Sequence, residues 1–146
     1  HSLMLTGALL GVHVRVGCPV GFEPSSEVLA QAQAIASQNG CRVDVVHEPL
    51  AAARGAHALY TDVWASMGQE EEQEQRLQSF ADYQVNDRIM QSAHADALFM
   101  HCLPAHRDEE VSTAVLESPQ SVVWQEAENR LHAQKALLEF LLCGGL

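Results

Sequence analysis

Basic residues are scarce in this sequence: 8 Lys and Arg face 19 Asp and Glu, leaving the 146-residue chain with a formal charge of −11. Nucleic acid and anionic membrane surfaces both require a basic face, so neither is expected as a partner. No apolar run approaches the ~18 residues needed to span a bilayer, and no signal-peptide pattern opens the chain. Cysteine is sparse too. Cys18, Cys41, Cys102 and Cys143 are widely separated with no CxxC pair, which speaks against a zinc ribbon or a disulfide scaffold and for reduced thiols in a cytoplasmic protein. There is no initiator Met, and the opening from His1 reads as helix interior without a cap; the start of that unit is expected to lie upstream. What remains is globular, with 47% hydrophobic and 18% charged residues, and a length that suits one domain with a sizeable core.

Short apolar runs alternate with helical segments along the whole chain, the mark of an α/β fold. A first helix ends near Gly11, and residues 12–16 alternate as a strand. Ser25 and Ser26 offer caps for a helix over 27–38, which Asn39-Gly40 closes. Further strands are expected over 42–46, 58–64, 97–103 and 121–124. The intervening helices cover 49–55, the stretch after Glu70, 87–94 and 126–142, the last with Leu131, Leu137, Leu138 and Leu141 as an apolar stripe. The expected architecture is a doubly wound, mainly parallel, Rossmann-like sheet with helices on both faces, residues 1–146 forming one domain. Such sheets bind ligands at the carboxyl ends of their strands, where Asp62 to Gly68, His101 to Pro104 and Glu126 to Arg130 fall.

Each of these segments has a bland reading beside a chemical one. Cys102 can be a nucleophile, a proton acceptor or a packed small hydrophobe. His101 precedes it on the same strand, so the two side chains point to opposite faces unless the strand has ended. A zinc site of His101, Cys102 and His106 lacks a second ligand pair at finger-like spacing. Asp62 either caps its loop or, with the Ser66 hydroxyl, holds an amino acid. Arg130 is expected in the first turn of the last helix, where a cation is unfavourable unless an anionic or carbonyl-bearing ligand rewards it. The acid run from Glu70 to Glu74 reads as a solvated helical face, and His13, His47, His57, His94 and His132 as structural or surface residues.

Taken together, Asp62-Val63-Trp64-Ala65-Ser66-Met67-Gly68-Gln69-Glu70-Glu71, His101-Cys102-Leu103-Pro104-Ala105-His106-Arg107 and Glu126-Ala127-Glu128-Asn129-Arg130 closely resemble the ornithine carbamoyltransferase family. The likeness runs through essentially all 146 residues, and the Ser-Met-Gly loop marks the ornithine enzymes rather than their aspartate-using relatives. The resemblance implies transfer of a carbamoyl group from carbamoyl phosphate to the side-chain amine of L-ornithine, giving citrulline and phosphate. It implies that Asp62 holds the α-amino group, that Ser66 and Met67 of a mobile loop complete the amino-acid pocket, and that Cys102 helps to deprotonate the amine. The backbone at Cys102 and Leu103, with the Arg130 side chain and His101 nearby, is implied to hold the carbamoyl group. A thiolate–carboxylate pair of Cys102 and Asp62 would accept the proton, and Arg130 would stabilise charge on the carbonyl oxygen. No metal or organic cofactor is implied, and the parent enzyme is implied to be a homotrimer.

Two departures accompany the likeness. Asp108 stands where the family commonly has Gly. The family's carbamoyl phosphate domain with its Ser-Thr-Arg-Thr-Arg motif, the first strand of the ornithine domain and an Asp-Gly-Asn-Asn turn are not in the sequence. The chain alone is therefore expected to be inactive, and loss of an internal first strand would leave its neighbours unpaired. The rival expectations are a carbamoyltransferase for a related amine or acylated ornithine, and a non-catalytic amino-acid-binding or interaction module.

Overall fold

The computed structural model describes residues 1–64 and 70–144, with backbone only over 70–73. Helix α1 (Ser2–Leu9) starts without a side-chain cap and is closed by Gly11, whose φ of +71° is the left-handed conformation that glycine adopts without penalty. Strand β1 (Val14–Gly17) follows, then α2 (Ser26–Gln38), β2 (Val43–Val46) and α3 (Pro49–Ala53). Glu48 caps α3, its carboxylate accepting from the Leu50 and Ala51 amides, and Pro49 sits in the first turn, where its missing N–H costs nothing. Ala32 and Ala36 on α2 are buried among Met4, Ala8, Cys41 and Val43. These small side chains let α1 and α2 approach closely.

In the second half, β3 (Ala58–Thr61), α4 (Glu70–Phe80), a 3-10 turn (Ala81–Tyr83), α5 (Asp87–Ser92), β4 (Leu98–His101), α6 (Thr113–Leu116) and α7 (Val123–Cys143) complete the chain. Asn86 caps α5 and Ser112 caps α6 through their side-chain oxygens. A second core gathers Ala53, Val85, Ile89, Met90, Phe99, Val111, Val115 and Val123 around β4.

The strands pair in parallel as expected, β1 with β2 and β3 with β4. Among the described residues β1 and β3 each pair on one side only. The halves are linked instead by side chains, chiefly around α3, with the Tyr83 hydroxyl also donating to the His47 carbonyl at 2.6 Å. Arg15 of β1 donates to the carbonyls of Ala51, Ala52 and Arg54 at 2.9–3.1 Å, and Gly17 lies so near α3 that an added Cβ would come within 2.8 Å of Ala52 Cβ.

Three expectations need correction. The strand expected over 121–124 is a single bridge of Ser121 to Phe99, because α7 already begins at Val123 and takes those residues' hydrogen bonds into its first turn. Starting α7 there puts Arg130 two turns into the helix, beyond the reach of its N-terminal dipole. The stripe Leu131, Leu137, Leu138 and Leu141 is exposed, not packed. α6 had no periodic pattern long enough to be read from the sequence.

Candidate active site

Pairing register assembles the site. Thr61 of β3 lies beside His101 of β4, so the next residues, Asp62 and Cys102, leave the two strands side by side. The Asp62 carboxylate, the Cys102 sulfur and a ring nitrogen of His101 all lie within 4.8 Å of one another. The strand ends at His101, so the last two are not held on opposite faces: His101 is fully buried and Cys102 exposed, yet their side-chain ligand atoms remain close together. Both ring nitrogens of His101 are engaged within the protein, so this trio offers a cation no free imidazole.

Tyr60, two residues before Asp62 and therefore on the same face, joins the sulfur. Its hydroxyl and the Asp62 carboxylate are the two side-chain groups that act on Cys102. Burial and then the Cys102 contact push the Tyr60 phenol well above its ordinary range. Burial, followed by the Asp62 contact, pushes the Cys102 thiol up, and the Tyr60 hydrogen bond pulls the other way. Cys102 is exposed as a residue, so the local Asp62 contact is the firmer of the two upward causes. With the site free, these causes hold the Cys102 thiol more firmly to its proton than in an ordinary cysteine.

Behind the surface trio lies a network that ties down the segment after β4. The His101 amide donates to Glu126 Oε2 at 3.0 Å. Leu103 N–H donates to His101 Nδ1 at 2.9 Å, and His101 Nε2 lies 3.0 Å from Glu110 Oε1. The same Glu110 oxygen accepts from the His106 amide at 2.7 Å. Glu110 is fully buried. Leu103 takes a positive φ of 55° and precedes a cis peptide to Pro104. Its amide is turned inward, so its carbonyl is the polar group it has left for a ligand; among the described residues nothing donates to that oxygen.

Asp108 has φ +65°, a backbone that explains why glycine suits this position. Here the aspartate compensates for its side chain: Oδ1 accepts from the Thr113 amide at 2.9 Å and Oδ2 from its hydroxyl at 3.1 Å, which fixes the start of α6.

Ser66 and Met67 lie outside the described residues. Their flank is held by aromatic packing: Phe80 at the end of α4 stacks on Trp64 at 5.8 Å and meets Phe22 edge-on at 4.9 Å, and Arg76 donates to the Trp64 carbonyl. Arg130 is exposed on α7, one turn beyond Glu126 and so on the helix face that Glu126 turns toward His101. The structure thus brings Asp62, His101, Cys102 and Leu103 together and sets Arg130 on the adjoining helix face. Tyr60 and Glu110 were missed from sequence. The period-two spacing of Tyr60 to Asp62 could have found the first. Glu110, inside the charged run Arg107-Asp108-Glu109-Glu110, gave no such signal.

The aspartate/ornithine carbamoyltransferase model for the Asp/Orn binding domain matches residues 1–141. The chain is 58% identical over 146 residues to an ornithine carbamoyltransferase of Parasynechococcus marenigrum (strain WH8102), covering 100% of this chain and 45% of that protein. It is 61% identical over 134 residues to one of Methylococcus capsulatus (strain ATCC 33009 / NCIMB 11132 / Bath), covering 92% and 43%. Among solved structures, ornithine carbamoyltransferase from Pyrococcus furiosus superposes with a TM-score of 0.91 at 51% identity, covering 95% of this chain and 44% of that one. The chain spans less than half the length of the relatives it matches.

Proposed function

That the chain belongs to the aspartate/ornithine carbamoyltransferase family is the premise from which we propose its part: residues 1–146 form the amino-acid-binding half of an enzyme that transfers carbamoyl from carbamoyl phosphate to L-ornithine. The observation that carries this reading is the convergence of Asp62 and Cys102 at the carboxyl ends of two paired parallel strands. The net charge of −11 suits a cationic amino acid, and the exposed Asp62 carboxylate favours a free α-ammonium over an acylated one.

The attacking side-chain amine is protonated in water, with an ordinary pKa of about 10.4, and must lose that proton to attack. Cys102 holds a proton against Asp62 while the site is empty. An incoming ammonium beside the sulfur favours the thiolate. The exposed sulfur can then lose its own proton to solvent and take one from the amine, leaving a neutral nucleophile while Asp62 stays charged against the α-ammonium. The Leu103 carbonyl is placed to accept an N–H of the carbamoyl or amine group, and Arg130 supplies a cation for the carbonyl oxygen of the tetrahedral transition state. Ser66 and Met67 complete the amino-acid pocket in this reading. No cofactor enters the chemistry, and a cytoplasmic setting accords with four free thiols. The parent enzyme is proposed to be a homotrimer.

The 146 residues contain no Ser-Thr-Arg-Thr-Arg phosphate-binding run, so the chain alone is proposed to bind ornithine without turning it over. Calorimetric titration with L-ornithine in the absence of carbamoyl phosphate, followed by a citrulline assay with both substrates, tests this. The expected outcome is saturable binding that N-acetyl-L-ornithine does not reproduce, and no citrulline. Absence of ornithine binding overturns the substrate reading, and ordinary turnover overturns the claim of inactivity.

A further inference from the structure

We infer that Glu110 is a positioning residue for this site: its buried carboxylate fixes the tautomer of His101, and the fixed ring in turn holds Leu103 in the conformation that presents its carbonyl to substrate. The inference rests on the proposed function for the identity of the substrate, but the geometry beneath it is independent of any ligand.

Three contacts leave one assignment open. Leu103 N–H donates to His101 Nδ1, so that nitrogen carries a lone pair and no proton. The ring's proton must then sit on Nε2, where it donates to Glu110 Oε1 at 3.0 Å. An Nδ1–H ring would set two donors against each other at Leu103 and leave Nε2 facing the carboxylate without a hydrogen. His101 and Glu110 are both fully buried, so no solvent can substitute for either partner. Leu103 needs this support because a leucine at φ +55° is strained relative to its usual backbone. Glu110 Oε1 also accepts the His106 amide, closing a loop from residue 101 to 106 around one oxygen atom. The chain of dependence therefore runs from Glu110 through the His101 ring to the Leu103 amide and the exposed Cys102 between them.

The test uses the full 146-residue chain with Cys143→Ser, and compares Glu110→Gln with Glu110→Leu. A glutamine oxygen can accept from both His101 Nε2–H and the His106 amide, whereas leucine can accept from neither. Long-range proton–nitrogen correlation of the His101 ring is expected to show a protonated Nε2 and a bare Nδ1 in the parent and in Glu110→Gln. In Glu110→Leu that single-tautomer pattern is expected to be lost, the iodoacetamide rate of Cys102 to change by at least about threefold, and the calorimetric Kd for L-ornithine to weaken by about tenfold. Glu110→Gln is expected to stay within about threefold of the parent. A protonated Nδ1 in the parent overturns the inference, as does a folded Glu110→Leu chain with unchanged tautomer, Cys102 rate and affinity. If Glu110→Leu does not fold, the ring spectra of the parent and of Glu110→Gln decide alone. If the parent binds no ornithine, the substrate reading fails while the spectra and the Cys102 rates still judge the role of Glu110.

Discussion

The backbone N–H of His101, the last residue of β4, donates to Glu126 Oε2 in the first turn of α7 at 3.0 Å. One side chain thus closes the carboxyl end of a strand and places an acid at a helix N-terminus, where the dipole favours it. Removing the acceptor in Glu126→Ala is expected to cost about 1 kcal/mol, below the usual value for a charged hydrogen bond because Glu126 is partly exposed to water. Glu126→Gln keeps an acceptor and is expected to retain most of the stability. Urea denaturation midpoints of the three proteins provide the comparison, and equal midpoints for Ala and parent would remove the contact from any stabilising role.

Cys102 should respond in opposite directions to its two neighbours. Asp62 pushes the thiol up and Tyr60 pulls it down. At pH 8, in a Cys143→Ser background, Asp62→Asn therefore increases the thiolate fraction and speeds alkylation by iodoacetamide, while Tyr60→Phe slows it. With a thiol held above its ordinary range, the parent rate rises continuously through pH 9 with no plateau below it. A plateau near pH 7, or shifts of the same sign in both variants, contradicts these opposing influences on the sulfur.

Asp108 combines a left-handed backbone with two hydrogen bonds to Thr113. Asp108→Ala loses both bonds and keeps the strained φ, for an expected loss of about 2 kcal/mol. Asp108→Gly loses the same bonds but relieves the backbone by about 1 kcal/mol. The expected order of thermal midpoints is parent, then Gly, then Ala. An alanine variant as stable as the parent would show that the bonds contribute nothing.

Gly17 is constrained by contact, since a Cβ there would meet Ala52 Cβ at 2.8 Å. Gly17→Ala is expected to destabilise the chain by about 1–3 kcal/mol through forced separation of β1 and α3. A double-mutant cycle with Ala52→Gly should show positive coupling, the second change being less harmful in the presence of the first. Additive effects would place the strain elsewhere.

Much of this was legible in the residues, for identifiable reasons. Alternating Val14-Arg15-Val16 and the caps Asn86 and Ser25 marked elements to within a few residues; local geometry decides the strand, and a side-chain hydrogen bond fixes the Asn86 cap, whereas Ser25 marks the start of α2 without one. Asp62 and Cys102 were legible as strand-end groups, since a parallel sheet delivers such ends to one edge. Residues 121–124 misled because Val122, Val123 and Trp124 fit strand or helix start equally, and the competition was settled by the length of α7. The charge state at Cys102 could not be read, for it depends on Tyr60 and Asp62 at distances that only register fixes. Glu110 was hidden by its neighbours: nothing in a run of charged residues distinguishes the one that turns inward.

The chain has two separate sets of buried residues, one around Met4, Ala8, Ala36 and Val43 and another around Phe99, Val111 and Val123. With no ladder between β1 and β3 among the described residues, cooperativity between them depends on side-chain contacts: Arg15 reaches three α3 carbonyls and Gly17 meets Ala52, the Tyr83 hydroxyl donates to the His47 carbonyl at 2.6 Å, and Phe22 meets Phe80 edge-on. Each half is a potential unit of opening in its own right. Amide protons of β2 and of β4 are then free to exchange on different schedules, and a single unfolding free energy describes the molecule only to the extent that these few contacts keep the two halves in step.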